Sequence, residues 1–132
     1  MTRYLTNNYP LTNLHKKPSV RSEILTQMIY GDSFSILNKT RKWLKVKIKE
    51  DGYKGYIKNK NFTDFLKPTH KINILKAKVY KFSNKQKKIN EITFGSKIRV
   101  INSKSKFLKF SKGWINKKDV KHISYREKNP FK

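Results

Sequence analysis

Residue types able to carry out covalent or metal chemistry are scarce in this chain of 132 residues. It contains no cysteine, which excludes a thiol nucleophile, a thiolate metal site and a disulfide within these residues. The three histidines, His15, His70 and His122, lack the spacing of metal ligands. No serine or threonine has a recognisable base and acid nearby, and no glycine-rich phosphate loop is present. The sequence therefore predicts no catalytic residue, no metal site and no cofactor.

Aromatic residues with basic neighbours are better candidates for a binding site. Trp43 begins the run WLKVKIK, in which apolar and polar residues alternate, so its side chain is expected to point away from the buried face. Tyr56 is likewise expected to face away from Ile57 on the returning strand. Exposed rings beside a hairpin can line a groove for an extended peptide. The same rings could instead cover a barrel end or pack between two modules, and the pattern leaves these alternatives open.

The charge balance points to an anionic partner. There are 33 Lys and Arg residues against 8 Asp and Glu, a formal net charge of +25. Lysine-rich runs at residues 85–88 and 117–118 could contact phosphates, but the lysines are spread over turns and opposite strand faces, which favours solvation. No specific nucleic acid is therefore expected as a partner, although a basic nucleic-acid-binding protein is the alternative function.

Neither end of the chain nor its interior carries a recognisable membrane or export signal. No stretch approaches the roughly 18 apolar residues of a membrane span. The first ten residues are polar and lack the apolar core of a signal peptide. We expect a cytoplasmic location and a monomer.

An internal repeat organises the sequence. Its two copies align at an offset of 64 residues, which falls to 58 after a hairpin that is six residues shorter in the second copy. The aligned segments are residues 25–38 with 89–102, residues 43–46 with 107–110 at the same offset, and residues 55–57 with 113–115 at the shorter one. The repeat predicts two modules, residues 1–67 and 68–125, followed by a tail at residues 126–132.

The strand pattern predicts an all-β fold. No segment sustains a helical period for three turns, and about five short strands are expected in each module. In the first module, Phe34 and Ile36 are expected to point to one face of their strand, the inner one, and Ser33 and Ser35 to the other. Residues 62–66 and 117–120 are expected to form single turns before a last strand. So small a sheet must curve to bury one face, and a small barrel is the expected result.

Several motifs resemble bacterial SH3 domains. They are Leu14 with Pro18, the run EILTQMIYGD at residues 23–32, Lys42-Trp43, and the run DGYKGYI at residues 51–57. With Pro68-Thr69-His70-Lys71-Ile72 opening the second copy, the chain is similar to the paired amino-terminal SH3 modules of NlpC-type cell-wall cysteine peptidases. The resemblance implies two consecutive small SH3-like β-barrels. It also implies that residues 126–132 lead toward a catalytic domain, which this sequence does not include.

The resemblance also implies a function. In that family the first module meets the free amino end of a peptidoglycan stem peptide through a tyrosine and an acid. The implied partners are a stem peptide or a carboxyl-terminal peptidase domain. Because the first copy keeps the longer hairpin with its acids and tyrosines, we expect recognition on the first copy and scaffolding on the second. A truncated peptidase gene product is a further possibility. The ligand-binding residues expected here are Trp43, Glu50, Asp51, Tyr53 and Tyr56.

Overall fold

Short antiparallel strands form nearly all of the regular secondary structure in the computed structural model, which describes residues 3–85 and 87–125. The chain divides into two units, Met1–Lys67 and Pro68–Lys132. The predicted tail at residues 126–132 lies outside the described residues.

The first unit contains one sheet of seven strands. The strands are β1 (Tyr4–Thr6), β2 (Leu11–His15), β3 (Ile24–Ile29), β4 (Ser33–Lys39), β5 (Trp43–Ile48), β6 (Lys54–Lys58) and β7 (Thr63–Asp64). Their order in the sheet is β3-β2-β6-β5-β4-β1-β7. Side chains from β2 to β6 meet in a single buried cluster, so the sheet must curve around its own core. That cluster consists of Leu14, Met28, Phe34, Leu44, Val46, Ile48 and Ile57.

A buried amide links the end of β1 to β2 and to the edge strand β3. Asn7 follows β1 and is 0% exposed. Its Nδ2 donates to the carbonyls of Tyr9 at 3.1 Å and Ile29 at 3.0 Å, and its Oδ1 accepts from the Thr12 hydroxyl at 2.8 Å. Because buried polar groups are costly unless hydrogen-bonded, this amide stabilises the position of β1 next to the end of β3.

The second unit repeats the pattern with two smaller sheets. Its strands are β8 (His70–Ile72), β9 (Lys76–Tyr80), β10 (Lys88–Thr93), β11 (Lys97–Ile98), β12 (Asn102–Lys104), β13 (Phe107–Phe110), β14 (Gly113–Asn116) and β15 (Val120–His122). The sheet orders are β10-β9-β14-β13-β12 and β11-β8-β15. Buried apolar residues come from both sheets, including Ile72 and Ile98 from the smaller one and Val79, Phe110 and Ile115 from the larger.

The all-β prediction is confirmed, with differences in detail. The strand pairings leave open sheets rather than closed barrels, and each unit has more strands than the expected five. Lys117–Asp119 forms the expected turn, as a 3₁₀ helix, before β15. Residues 62–66, by contrast, include the strand β7, which pairs with β1. The prediction of a turn there was wrong, because the partner strand lies almost 60 residues away and gives no local signal.

The predicted inward face of β4 is only half correct. Phe34 is fully buried, but Ile36 is 38% exposed, next to a β-bulge between Ile36 and Asn38. Ser33 and Ser35, expected on the outer face, are buried instead. A bulge alters the local twist and direction of a strand, so simple alternation fails beside it.

Candidate functional site

Trp43 is half-buried because its indole packs against His15 of β2. The two ring centroids are 5.5 Å apart and the ring planes meet at 85°, an edge-to-face geometry that aromatic rings favour. His15 is only 6% exposed, and it pairs in register with Tyr56 of β6. β2 therefore places Trp43 and Tyr56 on one surface around a buried imidazole, which we call the His15–Trp43 cluster.

The basic residues of this surface come from the same hairpin. Lys58 lies opposite Trp43 in the β5–β6 register, and Lys45 lies opposite Tyr56. The Lys45 Nζ is 6.0 Å from the centroid of the Tyr56 ring. Such a distance is at the outer limit of a cation–π contact, so the ammonium group can still turn toward an anionic ligand.

A groove of about 470 Å³ lies beside the cluster. His15 and Lys58 line it, together with Lys60 and with the exposed apolar side chains of Leu11 and Ile24. The groove therefore combines apolar side chains with polar and basic ones, a mixture that can hold an extended peptide. The sequence pattern did not identify this groove, because its walls come from strands that are distant in the sequence.

The acidic residues of the predicted site lie at the other end of the hairpin. Both carboxylate oxygens of Glu50 accept from the Ser33 backbone N–H, at 3.0 and 3.2 Å. The Asp51 Oδ1 accepts from the Tyr53 N–H at 2.9 Å, which closes the turn. The side chain of Tyr53 is 52% exposed. The two carboxylates therefore stabilise the tip of the hairpin.

The five predicted binding residues thus occupy two places. Trp43 and Tyr56 belong to the His15–Trp43 cluster, whereas Glu50, Asp51 and Tyr53 form the tip. From Trp43 to the end of β5 at Ile48 the strand extends about 17 Å, at roughly 3.3 Å per residue. The structure does not bring all five together, and their role in binding stays a prediction.

A comparison with protein families assigns this part of the chain. Residues 14–62 match the family model described as the bacterial dipeptidyl-peptidase SH3 domain. The match begins at Leu14, before the buried imidazole, and ends at Phe62, so it includes the His15–Trp43 cluster and the whole β5–β6 hairpin. The first unit contains a bacterial SH3 domain. The resemblance inferred from the sequence motifs is confirmed.

One solved structure shares the fold of this bacterial SH3 domain and of the unit that follows it. The chain is similar to an NlpC/P60 family protein from Bacillus cereus, with a TM-score of 0.72 and 15% sequence identity. The likeness covers 94% of this chain and 57% of the Bacillus cereus chain. At that identity, the likeness shows a common fold. The chain spans little more than half the length of the protein it matches.

Two further structures are more distant. NlpC2 and NlpC1 from Trichomonas vaginalis each have 11% identity, with TM-scores of 0.38 and 0.39. The matches cover 98% and 95% of this chain, and 51% and 46% of theirs. No curated protein matches the chain significantly.

Outside the bacterial SH3 domain, two histidines form a pair that their spacing in the sequence did not reveal. His70 of β8 lies opposite His122 of β15, and the ring centroids are 5.5 Å apart. The Nδ1 of His70 is 2.8 Å from the Thr69 hydroxyl, and that of His122 is 2.7 Å from the Ser124 hydroxyl. Burial, and secondly the neighbouring His122, lower the pKa of His70 below its ordinary value of 6.5.

The remaining chemistry of the described residues is limited. Residues 3–85 and 87–125 contain no group of three or more His, Cys, Asp or Glu side chains placed to hold a metal ion. The same residues form no helix long and apolar enough to cross a membrane. With no cysteine in the sequence, these residues supply no thiol nucleophile.

Proposed function

We propose that this chain is a non-catalytic tandem SH3-like module that binds or positions peptidoglycan-derived peptides for an NlpC-type cysteine peptidase. The observation that carries the proposal is the groove beside the His15–Trp43 cluster, in the part of the chain that belongs to the bacterial dipeptidyl-peptidase SH3 family. The peptidase would be a domain or a partner protein that supplies the cysteine.

The composition of the groove suits an anionic peptide. Leu11 and Ile24 offer apolar surface, and Lys58 and Lys60 offer ammonium groups for carboxylates. Stem peptides carry carboxylates on their D-glutamate and diamino-acid residues, and they lie extended. An extended peptide can lie in an open groove with polar and apolar edges, and His15 joins this groove to the neighbouring aromatic cluster.

The direct test is an NMR titration of the ¹⁵N-labelled chain with a stem tripeptide that contains γ-linked D-glutamate and a diamino acid. We expect the largest shift changes at the Trp43 indole and the Lys58 amide, in 150 mM salt. The matched control ligand is the α-linked, all-L isomer, which has the same charge. Equal affinity for both isomers would reduce the interaction to charge attraction and contradict the proposal.

Nucleic-acid binding is the rival function, since the chain has a net charge of +25. Several aromatic rings, however, are already covered by the protein's own lysines. Lys60 Nζ lies 4.7 Å from the Tyr9 ring centroid, and Lys49 Nζ lies 5.0 Å from that of Tyr4. Stacked bases would have to displace these contacts. RNA or DNA affinity that survives 200 mM salt would favour the rival, because charge-driven binding weakens steeply over that range.

A cytoplasmic location and a monomeric state stay predictions. Cell fractionation tests the first. Sedimentation equilibrium of the purified chain, with and without the stem peptide, tests the second.

A further inference from the structure

Three connections of the second unit border an open pocket of about 360 Å³. The β9–β10 connection contributes Lys85, and the β12–β13 turn contributes Ser105 and Lys106. Lys117 and Lys118 come from the 3₁₀ turn before β15. Residues separated by more than 30 positions therefore converge, and the two lysine-rich runs expected to be simply solvated meet at one place.

The pocket has an excess of positive charge. Within residues 3–85 and 87–125, none of its four ammonium groups has a hydrogen bond or ion pair to the protein. Asp119 ends the 3₁₀ turn beside the pocket; burial raises the pKa of its carboxyl group, while Lys118 and Lys85 act in the opposite direction. Four ammonium groups against one carboxylate leave an excess of three positive charges around the pocket. Like charges around one pocket repel, and an anion between them relieves that repulsion.

The backbone around the pocket is unusual. Lys85 has a φ of 64° and Ser105 a φ of 54°, in the left-handed region that residues with a Cβ seldom adopt. They are two of the three non-glycine residues with positive φ among the described residues. Such conformations concentrate at ligand sites, where they aim side chains that ordinary backbone would direct elsewhere.

The equivalent position in the first unit has a structural hydrogen-bond bridge in place of the lysine. In both copies one backbone hydrogen bond occurs at equivalent positions, from Asn59 N to Lys42 O at 2.9 Å and from Lys117 N to Lys106 O at 2.8 Å. In the first copy the Asn59 Nδ2 also donates to the carbonyls of Thr40 and Arg41, at 3.1 and 3.3 Å. An ammonium side chain replaces this bridging amide in the second copy. At this position the first copy has an Asn59 amide that bridges two backbone carbonyls, and the second copy has the ammonium group of Lys117.

We propose that this lysine pocket binds a small oxyanion group with at least two negative charges, either a phosphate or a pair of neighbouring carboxylates. Lysine ammonium groups bind both kinds of oxygen as point charges without demanding planar geometry. The site lies in the second unit and is independent of the peptide groove proposed for the first. It gives the second copy a binding role beyond the scaffolding expected from the sequence.

The test uses the full chain, with inorganic pyrophosphate and tricarballylate as separate probes at constant ionic strength. Shift changes should concentrate at the amides of Lys85, Ser105 and Lys117. If only pyrophosphate binds, the natural ligand is a phosphate. If only tricarballylate binds, the ligand carries neighbouring carboxylates. If both bind, the pocket recognises either kind of oxyanion. Shift changes spread evenly over the surface, or none with either probe, would overturn the proposal.

A charge-matched pair of variants separates the pocket from the general basicity of the chain. Lys106→Gln/Lys118→Gln should weaken binding about tenfold, because two exposed charge contacts are lost. Lys76→Gln/Lys78→Gln removes the same charge from exposed positions on β9 outside the pocket and should leave the affinity within about twofold. Equal weakening in both variants would show non-specific attraction. The stem-peptide titration of the first unit can be repeated on both variants as a separate measurement. Failure of one proposal therefore does not imply failure of the other.

Discussion

Gly55 lies so close to Leu14 that a Cβ at residue 55 would stand 2.7 Å from the Leu14 Cγ. The same Cβ would lie 2.8 Å from the carbonyl oxygen of His15. β6 can thus approach β2 only because residue 55 has no side chain. The contact links the packing of the core to the strand that carries the buried imidazole.

Gly55→Val should unfold the first unit. A side chain there forces β6 away from β2, and overpacking of this kind costs about 1–3 kcal/mol or more in a unit with a small core. Thermal unfolding monitored by Trp43 fluorescence, in a Trp114→Phe background, reports on the first unit alone. Gly52→Asn is the control, since Gly52 has a φ of 76° with nothing within 4 Å and Asn tolerates that conformation. An unchanged midpoint for Gly55→Val would contradict the observed packing.

Trp43→Ala should weaken stem-peptide binding more than it weakens folding. The variant removes the indole from the His15–Trp43 cluster. Folding should suffer less, because Trp43 is half-buried and does not belong to the central core. The measurement is the affinity by NMR titration, together with the urea midpoint of each protein. Trp114→Ala, at the position equivalent to Tyr56 in the second unit, is the matched control. If Trp43→Ala instead melts the first unit, the indole is structural rather than part of a binding site.

Asn7→Asp should destabilise the first unit strongly. The carboxylate cannot donate to the carbonyls of Ile29 and Tyr9, and it places a charge in a fully buried position. Together these losses should cost about 3 kcal/mol or more in the free energy of unfolding. Asn13→Asp makes the same exchange at an exposed residue whose Oδ1 only accepts, from Gln27, so it should change little. Chemical denaturation of the two variants decides the matter, and similar midpoints would count against the role assigned to the buried amide.

The second unit should lose stability as the pH falls below about 6.5. Because the pKa of His70 is lowered in the folded state, the unfolded chain binds the proton more readily. Stability is therefore complete above the unfolded pKa, and it decreases as the pH falls from there toward the folded pKa. Urea midpoints at pH 7.5 and 5.5, read from Trp114 fluorescence in a Trp43→Phe background, measure the effect.

Variants of the histidine pair provide the control for this pH dependence. His70→Gln should reduce the difference between the two midpoints, because the titrating group is gone. His122→Gln should reduce it less, since burial is the larger cause of the lowered pKa and stays in place. A pH dependence unchanged in His70→Gln would assign it to other groups.

Local patterns in the sequence predicted the β5–β6 hairpin well. Leu44, Val46 and Ile48 alternate with polar residues and are all buried, because a strand with one buried face follows a period of two. The tip of the hairpin was also predictable from Asp51 and Gly52. The family resemblance also predicted the all-β class correctly, because the motifs behind it are local turn and strand motifs.

Features that depend on distant partners could not be predicted. β1 exists because Leu5 lies opposite Phe34 in β4 and Asp64 in β7. The pairing of His70 with His122 spans more than 50 residues. A single sequence contains no signal for such encounters, because each depends on how the sheet curves rather than on neighbouring residues.

The two units close the same hairpin with connections of different length. β5 and β6 are joined by residues 49–53, whereas β13 and β14 are joined by Ser111 and Lys112 alone. The fold therefore tolerates a change of length at this position without losing its strand pairing. For protein engineering, the β5–β6 tip is the natural insertion point for an affinity tag or a dye-labelling sequence.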